Sequence, residues 1–355
     1  MIPLYKSFSD ESDIKAVTDV IKGGMDWAEG PHGELFEERL CKYLSIQGAL
    51  VCNSGTSALH MALFACGVKH FHEVIVPSFT FIATANAVRF IGATPVFADI
   101  EEESYGLDPV DVERKITDKT AAIIVVHYGG QICKGIMDIR AIAQKHNLKL
   151  IEDGCESLGA LYDRMPVSRF GDCAVLSFCA NKIISTGEGG AFCTDSKYLY
   201  DRARLMRSHG RDGDRYISLG YNFRMPDMNA ALGVSQLEKI DDIIEKRREI
   251  AGWYKAGLNL PELPDSVFQL LTVRLKNRDQ VMRHLQDNGI GCKVYFEPVH
   301  LTDYYRRDQW KTVKLPITER VSSEVLSLPI YPGLTKQEVE MVCQKVREIK
   351  LEGGR

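Results

Sequence analysis

Lys182 has the strongest claim to covalent chemistry in this chain. It stands in Val175-Leu176-Ser177-Phe178-Cys179-Ala180-Asn181-Lys182-Ile183-Ile184-Ser185-Thr186-Gly187-Glu188-Gly189-Gly190, between an apolar run that reads as a strand and a glycine-rich turn. The apolar Ile183 and Ile184 and the small residues around them point to a confined position. Confinement lowers the pKa of an amine and lets it form a Schiff base with an aldehyde. A solvated surface charge is the competing reading and the usual fate of a lysine. Glu152-Asp153 closes another apolar run, Leu148-Lys149-Leu150-Ile151. A carboxylate there needs a partner, which a salt bridge or a helix cap would supply. The functional alternative is a carboxylate that holds a heterocyclic nitrogen protonated in a half-buried, poorly screened site. Asn53-Ser54-Gly55-Thr56-Ser57-Ala58-Leu59 places a flexible turn and two hydroxyls at a helix start, where free N–H groups and the helix dipole attract an anion such as phosphate. An ordinary N-cap would look the same.

The elements that must carry these residues follow from apolar patterning. ALVCNS, EVIVPS, TPVFADI, TAAIIVVHY and LKLIEDG, between residues 49 and 154, read as strands, each near-continuously apolar as in a parallel sheet buried on both faces. TSALHMALFACG, TFIATANAVRFIG, PVDVERKI and IMDIRAIAQKHN read as helices between them, an α/β layout. Ligands in such sheets bind beyond the carboxyl ends of the strands, which is where Ser54-Gly55-Thr56, Ser78 to Phe81, His127 to Gly130 and Glu152-Asp153-Gly154 fall. Apolar residues at helical spacing from Ser235 to Tyr254 predict one long amphipathic helix leaving a large domain, 1–240. A smaller α+β domain, 241–355, follows. It has an apolar run at 267–273, a helix at 278–287, a turn at Gly289-Ile290-Gly291, a strand at 293–296 and a last helix opened by the capping box Thr335 to Glu338.

Composition narrows the classes. With 355 residues, 45% of them apolar and 26% charged, the chain has enough material for two or three domains and none of the signature of disorder. A net charge of -4 and the lack of a basic patch argue against nucleic acid as a partner. Ten cysteines without a C-x-x-C pair read as reduced thiols rather than disulfides or metal ligands. No metal is expected. MIPLYKSFSDESDIK lacks signal-peptide character and no apolar run is long enough for a membrane span, so the expected location is cytoplasmic.

The ordered set SGTSAL, PSFTFIATANAV, IED, SFxxxKxxxxGEGG, GYNFRM and QL resembles the DegT/DnrJ/EryC1/StrS family of pyridoxal-phosphate-dependent sugar aminotransferases, and the likeness runs from Ile2-Pro3-Leu4 to Leu328-Pro329-Ile330-Tyr331-Pro332. The resemblance implies fold type I, the aspartate-aminotransferase architecture, with Lys182 as the Schiff-base lysine. It further implies Gly55, Thr56 and Ser57 at the cofactor phosphate, helped by Ser177; Phe81 stacked on the pyridoxal ring; and Asp153 on the pyridine nitrogen. Asn222, in Gly220-Tyr221-Asn222-Phe223-Arg224-Met225, matches an asparagine that reaches the phosphate of a neighbouring subunit, which implies a homodimer with shared active sites. A loop residue capping the following helix is the plainer reading of Asn222. Arg224, Tyr295 and His300 are candidates for sugar-nucleotide contact, with core or surface roles open for each.

Two positions depart from the family's commonest pattern. Glu156 stands where many members have His or Gln, and Cys179 where many have His or Tyr. A second carboxylate near Asp153 suits a bond to the cofactor's O3′ or to substrate, and a buried Cys179 would line the pocket as a small apolar group. The resemblance implies transfer of an amino group from L-glutamate to a nucleotide-linked keto-deoxy sugar, with the GEGG turn resembling members that aminate C4 of a 4-keto-6-deoxyhexose. Such a step belongs to amino-sugar and polysaccharide biosynthesis. A sugar dehydratase on the same fold is one alternative; relatives that remove the 3-hydroxyl carry histidine in place of the lysine, and Lys182 argues against it. A catalytically silent cofactor- or sugar-binding regulator is the other, and the intact Ser57, Asp153, Ser177 and Lys182 set argues against that.

Overall fold

Every second residue of the central strands falls into a different apolar core. In Thr120–Val126, Ala122 and Ile124 belong to one core and Ile123 and Val125 to the other, all at 0% exposure. Both faces of the sheet are thus covered, as near-continuous apolar strands require.

The computed structural model describes residues 1–352. After helices α1 (Glu11–Gly23) and α2 (Pro31–Leu44), the chain alternates strand and helix: β1 (Gly48–Cys52), α3 (Gly55–Ala65), β2 (Glu73–Pro77), α4 (Ala83–Phe90), β3 (Thr94–Ala98), α5 (Pro109–Arg114), β4 (Thr120–Val126), α6 (Ile136–Lys145) and β5 (Lys149–Asp153). A two-residue hairpin, β6 (Leu161–Tyr162) and β7 (Met165–Pro166), leads to β8 (Cys173–Ser177) and β9 (Gly190–Thr194). The seven-stranded sheet has the order β1-β9-β8-β5-β4-β2-β3. All its strands run parallel except β9, which pairs antiparallel with both β1 and β8.

This reversed strand sets the geometry of the site. Gly190 lies opposite both Cys52 and Ser177, so β9 starts where β1 and β8 end. A Cβ on Gly190 would stand 2.4 Å from the Ser54 carbonyl carbon, closer than any side chain allows. The GEGG turn therefore serves a close backbone crossing at the head of α3. The strand reading from sequence ended at Ser177; β9, five short residues after a glycine turn, went unrecognised.

Beyond β9 come α7 (Lys197–Arg207), the exposed hairpin β10 (Arg211–Asp212) and β11 (Arg215–Tyr216), α8 (Asp227–Leu237) and α9 (Ile240–Leu258). The single helix expected from Ser235 to Tyr254 is instead the end of α8 and most of α9, broken at Glu238-Lys239. At this break the buried Asp13 of α1 gathers three donors: Ser235 Oγ at 2.6 Å, Gln236 Nε2 at 2.8 Å and Lys239 Nζ at 2.8 Å. The apolar period runs on across the break, which hides it from a pattern count. α9 then joins two cores, with Ile240, Ile243 and Ile244 in one of the sheet cores and Ile250, Ala251 and Tyr254 in a third.

That third core packs α9, α10 (Arg278–Asp287) and α12 (Lys336–Glu352) against the antiparallel pair β12 (Leu271–Arg274) and β13 (Val325–Leu328), with α11 (Pro316–Glu324) before it. The Thr335–Glu338 capping box is formed, the Glu338 N–H reaching Thr335 Oγ1 at 3.3 Å and the Thr335 N–H reaching Glu338 Oε2 at 2.8 Å. The strand expected at 293–296 is reduced to one bridge, Lys293 to Ser327, because the Tyr295 carbonyl accepts from the Tyr128 hydroxyl instead of a neighbouring strand. Ile2 also enters this core and bridges to Ile290, its N–H donating to the Gly289 carbonyl at 2.9 Å. Among the described residues no helix is long and apolar enough to cross a membrane.

Glu152 and Asp153 end β5 side by side and point opposite ways. Glu152 is fully buried and accepts from the backbone N–H groups of Ser168, Phe170 and Gly171 at 2.9, 2.8 and 2.7 Å, and from His127 Nε2 at 3.1 Å. His127 Nδ1 takes the Cys133 N–H, so Nε2 carries the proton. Removing this acceptor strands several buried donors, each costing about 1–3 kcal/mol. Glu152→Ala is expected to lose at least about 3 kcal/mol in urea denaturation, and Glu152→Gln clearly less, since its carbonyl still serves Phe170 and Gly171. Equal losses would show that the charge and second oxygen that Gln lacks carry the effect, and that the acceptor kept for Phe170 and Gly171 does not.

Candidate active site

The carboxyl ends of β1, β5 and β8 and the heads of α3 and α4 open onto a cavity of about 500 Å³. Lys182 reaches it from the loop after β8. Phe178, Ile183 and Ile184 anchor that loop in the core, and a turn from the Lys182 N–H to the Cys179 carbonyl at 2.9 Å holds the lysine between them. Its side chain is 15% exposed and its Nζ lies 3.3 Å from Glu156 Oε1. Glu156 is itself fixed by the Gly129 N–H, 2.9 Å from Oε2.

This contact overturns one expectation. Burial works to lower the lysine pKa, as the sequence reading held, but Glu156 first, then Cys155 and Asp153, outweigh it, and the group stands above its ordinary value. Without cofactor, Lys182 is an ammonium held by a carboxylate.

Asp153 faces the same cavity, 5% exposed, with Oδ2 accepting from Thr84 Oγ1 at 2.9 Å and Oδ1 from the Cys155 N–H at 3.2 Å. At the head of α3, Ser54 caps the helix by accepting the Ser57 N–H at 3.1 Å. Gly55, Thr56 and Ser177 form the wall, whereas Ser57 lies behind it, its hydroxyl donating to Asn53 Oδ1 at 2.7 Å. A Cβ on Gly55 would come to 3.0 Å from both Cys155 Sγ and the Ser177 Cβ, so the bare backbone is what keeps this corner open. Phe81 leaves 59% of its surface exposed on the opposite wall, with the Phe296 ring 6.1 Å away.

Tyr295 reaches the cavity from the C-terminal third of the chain. His300 does not. It is 2% exposed, with Nδ1 2.7 Å from Ser78 Oγ and Nε2 3.3 Å from Glu319, and burial lowers its pKa despite that carboxylate. It acts as a strut under the β2 loop, not as a wall of the cavity. Arg224 also turns away, pairing with Glu29 at 2.5 Å and donating to Ser208 Oγ at 2.9 Å. Asn222 bridges to Ser208 outside the cavity, and its carbonyl accepts from Asn53 Nδ2 at 3.3 Å.

Thr80 lies on the ligand face the sequence reading marked, but without a role assigned to it; Thr84, Asn181, Glu188, Lys293 and Phe296 escaped that reading. Thr84 lies within the PSFTFIATANAV motif, four residues past Thr80, and that spacing was the available signal. Lys293 stacks its ammonium 5.1 Å from the Tyr295 ring, a contact with no sequence signal. Cys179 lines the cavity 3.6 Å from Glu188 Oε1, a polar neighbour the small-apolar reading did not include.

The donor set suits pyridoxal phosphate. An amine, a carboxylate braced from behind, an exposed aromatic face and a helix N-terminus kept clear of side chains surround one cavity. This fold and site define a pyridoxal-phosphate-dependent aminotransferase of fold type I. The chain belongs to the DegT/DnrJ/EryC1/StrS aminotransferase family, whose model matches residues 8–347. It is 39% identical to a GDP-perosamine synthase of Caulobacter vibrioides over 333 residues, 88% of this chain and 89% of that protein. Among solved structures it is similar to Helicobacter pylori PseC, an aminotransferase involved in pseudoaminic acid biosynthesis, at 30% identity, TM-score 0.92 and 98% of both chains. It is also similar to S. venezuelae DesV, at 33% identity, TM-score 0.90 and 98% of both chains.

Glu156→Gln removes the main support of the Lys182 ammonium, so its pKa falls and more free amine exists at any given pH. Cofactor uptake, followed as visible absorbance grows when pyridoxal phosphate meets the cofactor-free protein, is expected to shift its pH profile toward lower pH. An unchanged profile would mean that Glu156 does not govern the amine.

Proposed function

We propose that this enzyme moves the amino group of L-glutamate to C4 of a nucleotide-linked 4-keto-6-deoxyhexose. The observation that carries the reading is the convergence of Lys182, Asp153 and the α3 N-terminus on one cavity. Pyridoxal phosphate, when bound, supplies the electron sink that makes the substrate's C–H bond acidic. In this reading the N–H groups of Gly55 and Thr56 and the Ser177 hydroxyl hold its phosphate, with Ser57 acting through the cap behind them. Phe81 covers the ring face and Asp153 takes the ring nitrogen. Lys182 holds the cofactor and, once the donor amine has displaced it, moves a proton on and off the substrate carbon. Glu156 would pair with the lysine whenever its amine is free and could accept a bond from a cofactor or substrate hydroxyl. Tyr295 contacts the sugar nucleotide.

Asn222 fits this scheme through a second copy of the chain. It stands next to the β10–β11 hairpin, where Tyr216, Ile217 and Leu219 are 74%, 51% and 70% exposed, an apolar surface that suits burial against another subunit. The family likeness supports a homodimer in which each Asn222 completes the partner's phosphate site. Mixing inactive Lys182→Ala and Asn222→Ala proteins after unfolding and refolding together is expected to restore activity in about a quarter of the sites, since a mixed dimer regains one intact site. No recovery would place Asn222 in its own subunit's structure only.

The name of the Caulobacter relative puts GDP-linked keto sugars first in a substrate screen, ahead of UDP- and dTDP-linked ones. Wild type loaded with pyridoxal phosphate is expected to show a visible band that bleaches with glutamate and returns with the right keto sugar. Lys182→Ala should lack the lysine-dependent band and lose at least about a thousandfold in turnover. A wild type without that band would sink the aminotransferase reading.

A further inference from the structure

Behind Asp153 lies a short relay of hydroxyls. Thr84, in the first turn of α4, is 1% exposed and donates from Oγ1 to Asp153 Oδ2 at 2.9 Å. Thr80, 2% exposed and four residues earlier in the bend that leads into α4, has its Oγ1 2.9 Å from the same Thr84 oxygen. A threonine hydroxyl has one proton. Thr84 gives its proton to the carboxylate, so Thr80 must supply the proton in the second contact, and both hydroxyls point theirs toward Asp153. Meanwhile the Cys155 N–H occupies Oδ1. With both oxygens already receiving protons from the protein, the aspartate offers only lone pairs to the cavity.

A threonine inside a helix can spend its hydroxyl on a carbonyl one turn back. Thr84 does otherwise, and the segment between it and Thr80 carries Phe81, whose carbonyl accepts the Thr84 N–H at 3.2 Å. We infer that Thr84 is a positioning residue for transamination: its hydroxyl, backed by Thr80, fixes the plane of Asp153 and keeps that carboxylate an acceptor toward the cofactor's ring nitrogen. The inference rests on the reading of Asp153 given above.

Thr84→Val keeps the shape and removes the donor; Thr84→Ser keeps the donor. Each is loaded with pyridoxal phosphate alongside wild type, Thr80→Val and Asp153→Asn, and the visible spectrum of the bound cofactor is titrated with pH. Rates of the glutamate half-reaction are measured in parallel. Thr84→Val is expected to move the spectral midpoint in the same direction as Asp153→Asn but less far. It should also slow the half-reaction about tenfold at saturating glutamate, the size of one hydrogen bond to a charged group, with KM little changed. Thr84→Ser should restore both, and Thr80→Val should show a smaller change of the same sign. A role in stability alone would lower Tm and leave the spectral midpoint in place.

If Asp153→Asn moves the midpoint and Thr84→Val does not, the relay is overturned while the reading of Asp153 stands. If Asp153→Asn leaves the midpoint unmoved, the reading of Asp153 fails and the relay with it. Should Thr84→Val not fold, an unmoved midpoint in Thr80→Val overturns the proposal on its own.

Discussion

A strand buried on both faces presents polar groups to a ligand at or beyond its ends, and this constraint organises the molecule. Every residue of Ala122 to Val125 is shut away from water, so the polar groups of the site gather at the end of β5 and on the turns that follow β1, β5 and β8. The reversed strand β9 then closes the space between those ends. Its first residue must be glycine to pass Ser54, so the crossing that shapes the site and the head of α3 are one feature.

Charges brought together in this way must satisfy one another. Lys182 and Glu156 do so at 3.3 Å, while Glu152 faces inward and uses backbone N–H groups and a histidine. Two adjacent acids on one strand thus divide the work: Glu152 ties down the turn that leads into β8, and Asp153 faces the cavity. In the cofactor-free protein the amine is charged, and binding of an aldehyde must displace that ion pair before a covalent bond forms.

Much of this was legible in the sequence because it is local. Strands buried on both faces read as apolar runs, and Ser54–Ser57, Phe81, Asp153 and Lys182 sit in contiguous motifs at the ends of such runs. What depends on how separate segments meet was not. The sign of the Lys182 shift follows from which way the turn after β5 folds, and no spacing encodes that. The break at Glu238-Lys239 falls where Asp13, more than two hundred residues away, gathers its donors. His300 and Tyr295 are near neighbours in one segment, yet one faces Ser78 and the other the cavity.

Ile2 adds a temporal constraint. Its backbone partners are Gly289, Ile290 and Gly291, and Tyr5, three residues further on, stands at the cavity wall. On the ribosome these early residues emerge long before their partners are made, so they wait unpaired while the seven-stranded sheet assembles. The bonds that tie down Ile2, and with them the Tyr5 side of the cavity, therefore form only after residues 289–291 have been made.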